Sequence, residues 1–190
     1  MRNQLIRNEC GRSGPAVFAA LLLAVACGSR EQAAVPYDLL FIDAMVAHHQ
    51  GAIDMARQAD SNALHQELKE FARKVVADQS SEMAMMTGWR EQWFAGRPRA
   101  AKADSMPGMA ESMGGMDAGH LQMLTGAEFD LAFIEMMVPH HQGAVTMARD
   151  ALARSQRPEI RGLAQRIIDA QQAEIEMMDR WKSEWAAGRD

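Results

Sequence analysis

Cysteine is nearly missing from this chain: its 190 residues hold two, Cys10 and Cys27, and both fall within the first 27. No internal disulfide can brace the remainder. Aromatic residues make up only 6% of a chain that is 48% apolar, so the core has to be assembled from aliphatic side chains and methionine, a composition that reads as helical. Basic charge is short as well, with 20 Lys and Arg against 25 Asp and Glu. No basic patch forms, which argues against a nucleic-acid partner. Missing too are a Ser/His/Asp or Cys/His arrangement, a phosphate loop and a nucleotide motif.

The one long apolar run, Ala16 to Ala26, is too short to cross a bilayer as a mature helix. Arg2, Arg7 and Arg12 precede it and Ala24-Val25-Ala26 closes it with small residues, so residues 1–27 read as a signal peptide. Leu23-Ala24-Val25-Ala26-Cys27 resembles a bacterial lipobox, with Ala24 where Leu is usual, and Cys27 is the expected lipidation site. The mature protein is therefore expected in the cell envelope, in the periplasm or on the outer face of the membrane, touching lipid only through that anchor. Removing the leader takes away three arginines and Glu9, which moves the formal charge from −5 to −7. An acidic surface suits cations.

Two residue types are abundant. Methionine occurs 16 times, more than its usual sparing use as a core gap-filler. Histidine is concentrated: four of the six sit in a stretch that the chain contains twice. Asp38 to Arg57 returns as Asp130 to Arg149, 92 residues later and without insertion or deletion. At about 100° per residue on a helix, His48 and His49 flank a face on which Met45 lies one turn earlier. Met137, His140 and His141 rebuild the cluster.

Periodicity and breakers predict four helices, at about Tyr37 to Ala59, Gln66 to Ala95, Glu128 to Ala153 and Pro158 to Ala187. The stripe Phe71, Val75, Gln79, Glu82, Met86, Trp89, Trp93 on the second returns on the fourth as Leu163, Ile167, Gln171, Glu174, Met178, Trp181, Trp185. Glu82 and Glu174 thus sit mid-stripe on faces meant for burial, where a carboxylate needs a partner or a metal. After a tether at 28–35, residues 36–96 form one hairpin and 126–190 the other, within one domain. Residues 97–125, rich in methionine, glycine and proline, are expected as a flexible surface crossover. Two hairpins and a long crossover predict an all-α, ferritin-like antiparallel four-helix bundle. Gly51 and Gly143, inside helices at matching places, imply close approach of another helix.

The paired Phe-Ile-x-x-Met-Val-x-His-His-Gln-Gly-Ala stretches and the Gln-x-x-Glu-x-x-x-Met-x-x-Trp stretches that follow them resemble the domain-of-unknown-function family 305. The resemblance covers about Asp38 to Trp185 and implies an exported or lipid-anchored bacterial protein with a ferritin-like fold, with copper binding and tolerance among the family's roles. Pro139, standing where the first copy has Ala47, is a local departure. It removes a backbone hydrogen bond inside a helix, either as a tolerated kink or as a device that aims His140 and His141.

The residues themselves predict a metal site of Met45, His48, His49, Glu82 and Met86, with Met137, His140, His141, Glu174 and Met178, either as two sites or as one shared centre. Met83 is a further neighbour. Imidazole and thioether together favour Cu(I), with Ag(I) following, over the ions that want oxygen. Met106, Met109, Met113, Met116, His120 and Met123 in the crossover are candidates for weak, secondary copper capture. The functional expectation is an exported copper-binding protein for sequestration, tolerance or delivery, with a copper-handling protein partner or an oligomer as further expectations. Two alternatives stand beside it. A di-iron oxidase would need Glu-x-x-His motifs, whereas the second and fourth helices carry Gln-x-x-Glu; a metal-free envelope bundle would simply pair His48 and His140 with Glu82 and Glu174.

Overall fold

The computed structural model of the chain describes residues 35–113 and 118–188. The leader with Cys27, most of the tether and Met116 lie outside the described residues, as does the side chain of Met113. Helix α1 (Tyr37–Ala56), the short α2 (Ala59–Asn62) and α3 (Gln66–Phe94) make the first hairpin. A 3-10 turn (Ala103–Ser105) and the short α4 (Met109–Met113) and α5 (Ala118–Leu121) lie along the crossover. Helices α6 (Gly126–Arg154) and α7 (Pro158–Ala186) make the second hairpin. Among the described residues, extended pairing is limited to one isolated bridge between Ala63 and Gly126.

Local chemistry sets these limits. Pro36 precedes α1 and accepts the Leu40 N–H at 3.1 Å, and Pro158 opens α7, where its fixed φ suits a first turn and its missing N–H costs nothing. Gly96, at φ 72°, follows the end of α3 in the left-handed region that closes helices. Helix α1 stops three residues short of the end that periodicity implies, because the chain turns at Arg57 and Gln58 and resumes as α2 with Ala59 buried. Pro139 does not interrupt α6.

Helix α1 packs on α3 and on α6, and α6 packs on α7, which gives the antiparallel four-helix bundle with its long crossover. The apolar core falls into two parts. One holds Leu39, Phe41 and Met45 of α1 with Met86, Met147 and Leu163; the other holds Met55, Leu68, Phe71, Phe133, Met137 and Met178. The four histidines of the repeat lie on α1 and α6 between these two parts.

The repeats interlock through their first residues. Asp130, fully buried in the second turn of α6, accepts the backbone N–H groups of Leu64 and His65 at 3.0 and 2.9 Å and the His65 ring at 2.6 Å, so it fixes the loop that leads into α3 of the other hairpin. His65 stacks on Trp185 from the end of α7, ring centres 3.9 Å apart. Asp38 does the equivalent at the opposite pole: it accepts Ser155 Oγ at 2.7 Å and Arg157 Nε at 3.2 Å, and Arg157 lies over Trp93 from the end of α3. Each loop is therefore held by the hairpin it does not belong to.

The crossover differs from the flexible surface segment that its composition implies. Ala100, Ala103, Met106 and Met109 are buried in the first core, and Leu121 in the second. Glycine and proline forbid one long helix there but allow short turns, and these bring apolar side chains onto α1 and α6, which hydrophobic burial favours. The close approach predicted at Gly143 is made by this segment. A Cβ on Gly143 would meet the Gly108 carbonyl oxygen and the side chain of Ser112 in α4.

The interlock makes a quantitative prediction. Asp130→Ala strands two backbone N–H groups and a histidine together, and should cost roughly 3–5 kcal/mol. Asp38→Ala, whose Arg157 partner is solvent-exposed, should cost about 1 kcal/mol. Urea unfolding of the two variants measures the difference; equal losses would mean that the buried tie is not what holds the hairpins together.

Candidate metal centre

All four repeat histidines are fully buried. Adjacent positions on a helix diverge by about 100°, so each helix aims one ring at the opposite repeat helix and the other at its own hairpin partner. His48 on α1 and His140 on α6 meet in the middle, ring centres 3.7 Å apart and planes tilted by 37°. His49 and His141 lie outside them, at 6.4 and 6.3 Å from their neighbours. The four rings thus form one row across the bundle.

The carboxylates serve the outer rings. Nε2 of His49 donates to Glu82 Oε2 at 2.6 Å, and Nε2 of His141 donates to Glu174 Oε2 at 2.9 Å. This corrects the pairing of His48 with Glu82 and His140 with Glu174 that a shared buried face implies: the inner histidines spend their turn of helix facing each other. A carboxylate only accepts, so it fixes the proton on Nε2 and leaves Nδ1 of a neutral ring as a lone pair. Six ring nitrogens are buried with no hydrogen-bond partner: both of His48, both of His140, and Nδ1 of His49 and of His141.

Burial pushes His48 well below its ordinary 6.5, with the neighbouring imidazoles adding to the effect. Burial likewise takes His140 down to about 3, again with its neighbours' help. Each ring's approach to the other histidine's backbone works the opposite way without offsetting this. Burial raises Glu174, but the hydrogen bond and charge of His141, with Lys74, outweigh it and hold the carboxyl below the usual range. Lys74 Nζ lies 3.2 Å from Glu174 Oε1.

The predicted methionines flank the row. Met45 and Met86 are fully buried in the core on one side, Met137 and Met178 in the core on the other. Met83 is half-buried and faces away, along a groove with Val46 and Arg90. Of the crossover candidates, Met106 and Met109 are buried in the first core, while His120 and Met123 are exposed. Among the described residues no three His, Cys, Asp or Glu side chains already surround one point as metal ligands. His48 and His140 fill the centre with each other, so an ion there has to part those two rings. Sequence reasoning passed over Gln79 and Gln171, whose Oε1 atoms are also buried without partners. Their matching places in the two stripes were the available signal.

The low affinity of His48 and His140 for protons predicts how stability depends on pH. The unfolded chain takes up protons near pH 6.5 that the folded protein refuses, so stability is fully present above that value and is lost as pH falls toward about 3. The slope should reach about 1.4 kcal/mol per pH unit for each excluded proton. Urea unfolding of the metal-free protein between pH 7 and 5 should show it, and the double variant His48→Leu/His140→Leu should flatten it. An unchanged slope in that variant would place the excluded protons elsewhere.

No curated protein matches the chain. Solved structures do. CopM in its Cu(I)-bound form is 41% identical, over 78% of this chain and 96% of that one, with a TM-score of 0.66. CopM in its Cu(II)-bound form is 43% identical, over 78% and 97%, with a TM-score of 0.67. A DUF305 fragment from Deinococcus radiodurans is 28% identical, over 80% and 98%, with a TM-score of 0.65. Residues 38–182, which contain both copies of the histidine stretch, match the model for Domain of unknown function (DUF305), and the chain belongs to that family.

Proposed function

We propose that this protein binds copper as Cu(I), and Ag(I) in its place, at the row of four histidines, and holds or passes on the ion in the cell envelope without catalysing a reaction. The observation that carries this reading is the set of six buried, unpartnered ring nitrogens. A neutral imidazole keeps one N–H, so His48 and His140 each offer one lone pair; buried acceptors without partners are costly, and a soft cation gains from the lone pairs that protons are denied. The ion parts His48 from His140 and is bound by them together with Nδ1 of His49 or His141. Thioethers of Met45, Met86, Met137 and Met178 complete a soft donor set from either side. Glu82 and Glu174 act through His49 and His141, as carboxylates do behind metal-bound histidines. The likeness to CopM, solved with Cu(I), Cu(II) and Ag bound, supports the choice of metal.

Export by the leader and lipidation of Cys27 fit a role outside the cytoplasmic membrane, with delivery to a copper-handling partner as the natural use of a releasable ion. Met113, Met116, His120 and Met123 serve as weak secondary capture sites. Met106 and Met109 join them only when the crossover lifts from the core, because both are buried there.

Titration of the mature protein with Cu(I), in competition with a Cu(I) chelator, tests the central site. Replacing His48, His49, His140 and His141 with Ala should abolish tight binding. Glu82→Gln with Glu174→Gln should weaken it by about 10- to 100-fold. Replacing Met113, Met116 and Met123 with Leu should remove only weak equivalents. Undiminished Cu(I) stoichiometry in the four-histidine variant would overturn the assignment.

A further inference from the structure

The four histidines have no contact with solvent, whereas the carboxylates behind them do. Side chains of Glu82 and Glu174 keep 17% and 11% exposure while their partner rings keep none. The solvent they meet fills a cleft of about 300 Å³ between α3 and α7. Gln79 and Gln171 line it with the two carboxylates, and the exposed Asp78, Ser81 and Arg166 stand along it.

This lining differs in kind from the centre beneath it. Two carboxylates and two amide side chains come to it from repeat-related positions. Oε1 of both Gln79 and Gln171 is buried and lacks a hydrogen-bond partner, although the residues are only 4% and 3% exposed. One such oxygen is a local defect; two at matching places, in the lining of a cleft that also holds both carboxylates, are two acceptors without a donor, whereas Glu82 keeps His49 and Glu174 keeps His141 and Lys74. Oxygen donors select hard ions that retain water, not the soft ion suited to imidazole and thioether. A water's share of liquid volume is about 30 Å³, so an ion with six waters needs roughly 180 Å³ and fits the cleft.

We propose that the α3–α7 cleft is a second cation site, which captures an aquated divalent ion on Glu82, Glu174 and the amide oxygens of Gln79 and Gln171. The same cleft is the port through which ions reach the histidine row. The port half of this rests on the row being the destination proposed above; the capture half does not. An ion entering here meets the two carboxylates first, and these are the groups that hold His49 and His141.

Mn(II), which is oxygen-seeking and paramagnetic, probes the capture site, and Ag(I) probes the row. Mn(II) should broaden the side-chain amide NMR signals of Gln79 and Gln171 ahead of other resonances. Gln79→Leu/Gln171→Leu should weaken Mn(II) binding by at least about tenfold, since half of the donor set is gone. Ser81→Trp, an exposed substitution at the mouth of the cleft, should slow Ag(I) loading by about tenfold or more, the lower end of what a focusing cleft contributes to an on-rate, and leave the final Ag(I) stoichiometry unchanged. Mn(II) binding that ignores the glutamine variant overturns the capture site. Ag(I) loading that ignores Ser81→Trp overturns the port. Failure of the wild-type protein to retain Ag(I) overturns the reading of the histidine row instead, and Mn(II) still decides the capture site.

Discussion

Four imidazole rings without access to water, midway along a bundle whose two ends are apolar, set the terms for the rest of the structure. The inner pair, His48 and His140, has to be neutral, because a charge there would lack solvent and would face the neighbouring imidazoles. Buried rings still need partners for their N–H groups. Glu82 and Glu174 supply this for the outer pair, and to do so they occupy the middle of the α3 and α7 stripes at the cost of apolar contact. The bundle accepts a polar middle layer and recovers its cohesion from the apolar clusters on either side. Phe71 illustrates the recovery: it meets Phe133 edge-on at 6.4 Å and Trp181 at 5.7 Å, an arrangement that aromatic quadrupoles favour.

A layer of that kind weakens the bundle where the hairpins meet, and the ties at the poles answer it. Asp130 and Asp38 each begin a copy of the repeat and hold the other hairpin's loop, with Trp185 and Trp93 covering the result. Neither hairpin is complete alone, since the start of α3 depends on a side chain of α6. The two halves therefore close together, and the register between them fixes His48 against His140.

Much of this was legible in the sequence because it depends on periodicity. The 92-residue repeat, the 3.6-residue stripes and the breakers at Gly96 and Pro158 locate the helices, and the repeat locates the histidines. What was not legible depends on distance between segments. No wheel reveals which histidine of an adjacent pair turns to its own hairpin and which to the other, so the carboxylates could be placed near the right helix but not on the right ring. The crossover misled for a related reason. Glycine and proline at Pro107, Gly108, Gly114 and Gly115 report that no long helix forms; they do not report whether Met106 and Met109 find a core to enter. The role of Asp130 was hidden because an aspartate near a helix start is ordinary, and its partners lie 65 and 66 residues away.

Repetition in sequence also does not make the halves equivalent in space. The tie at one pole uses an imidazole, which can lose its charge, and its Asp130 is wholly buried; the other uses a guanidinium, which cannot, and its Asp38 and Arg157 keep 19% and 40% exposure. Glu174 takes a lysine from the opposite hairpin as well as its histidine, while the residue matching Lys74 in the second stripe is Arg166, along the cleft. Gly143 is pressed against the crossover by Gly108 and Ser112. The cause is common to the last contact and to the topology itself. One crossover joins two hairpins, its short helices lie on α1 and α6, and no second connection restores the symmetry. A donor set assembled from two copies of one motif consequently has two unequal ends: Glu174 is shared between His141 at 2.9 Å and Lys74, while Glu82 holds His49 at 2.6 Å.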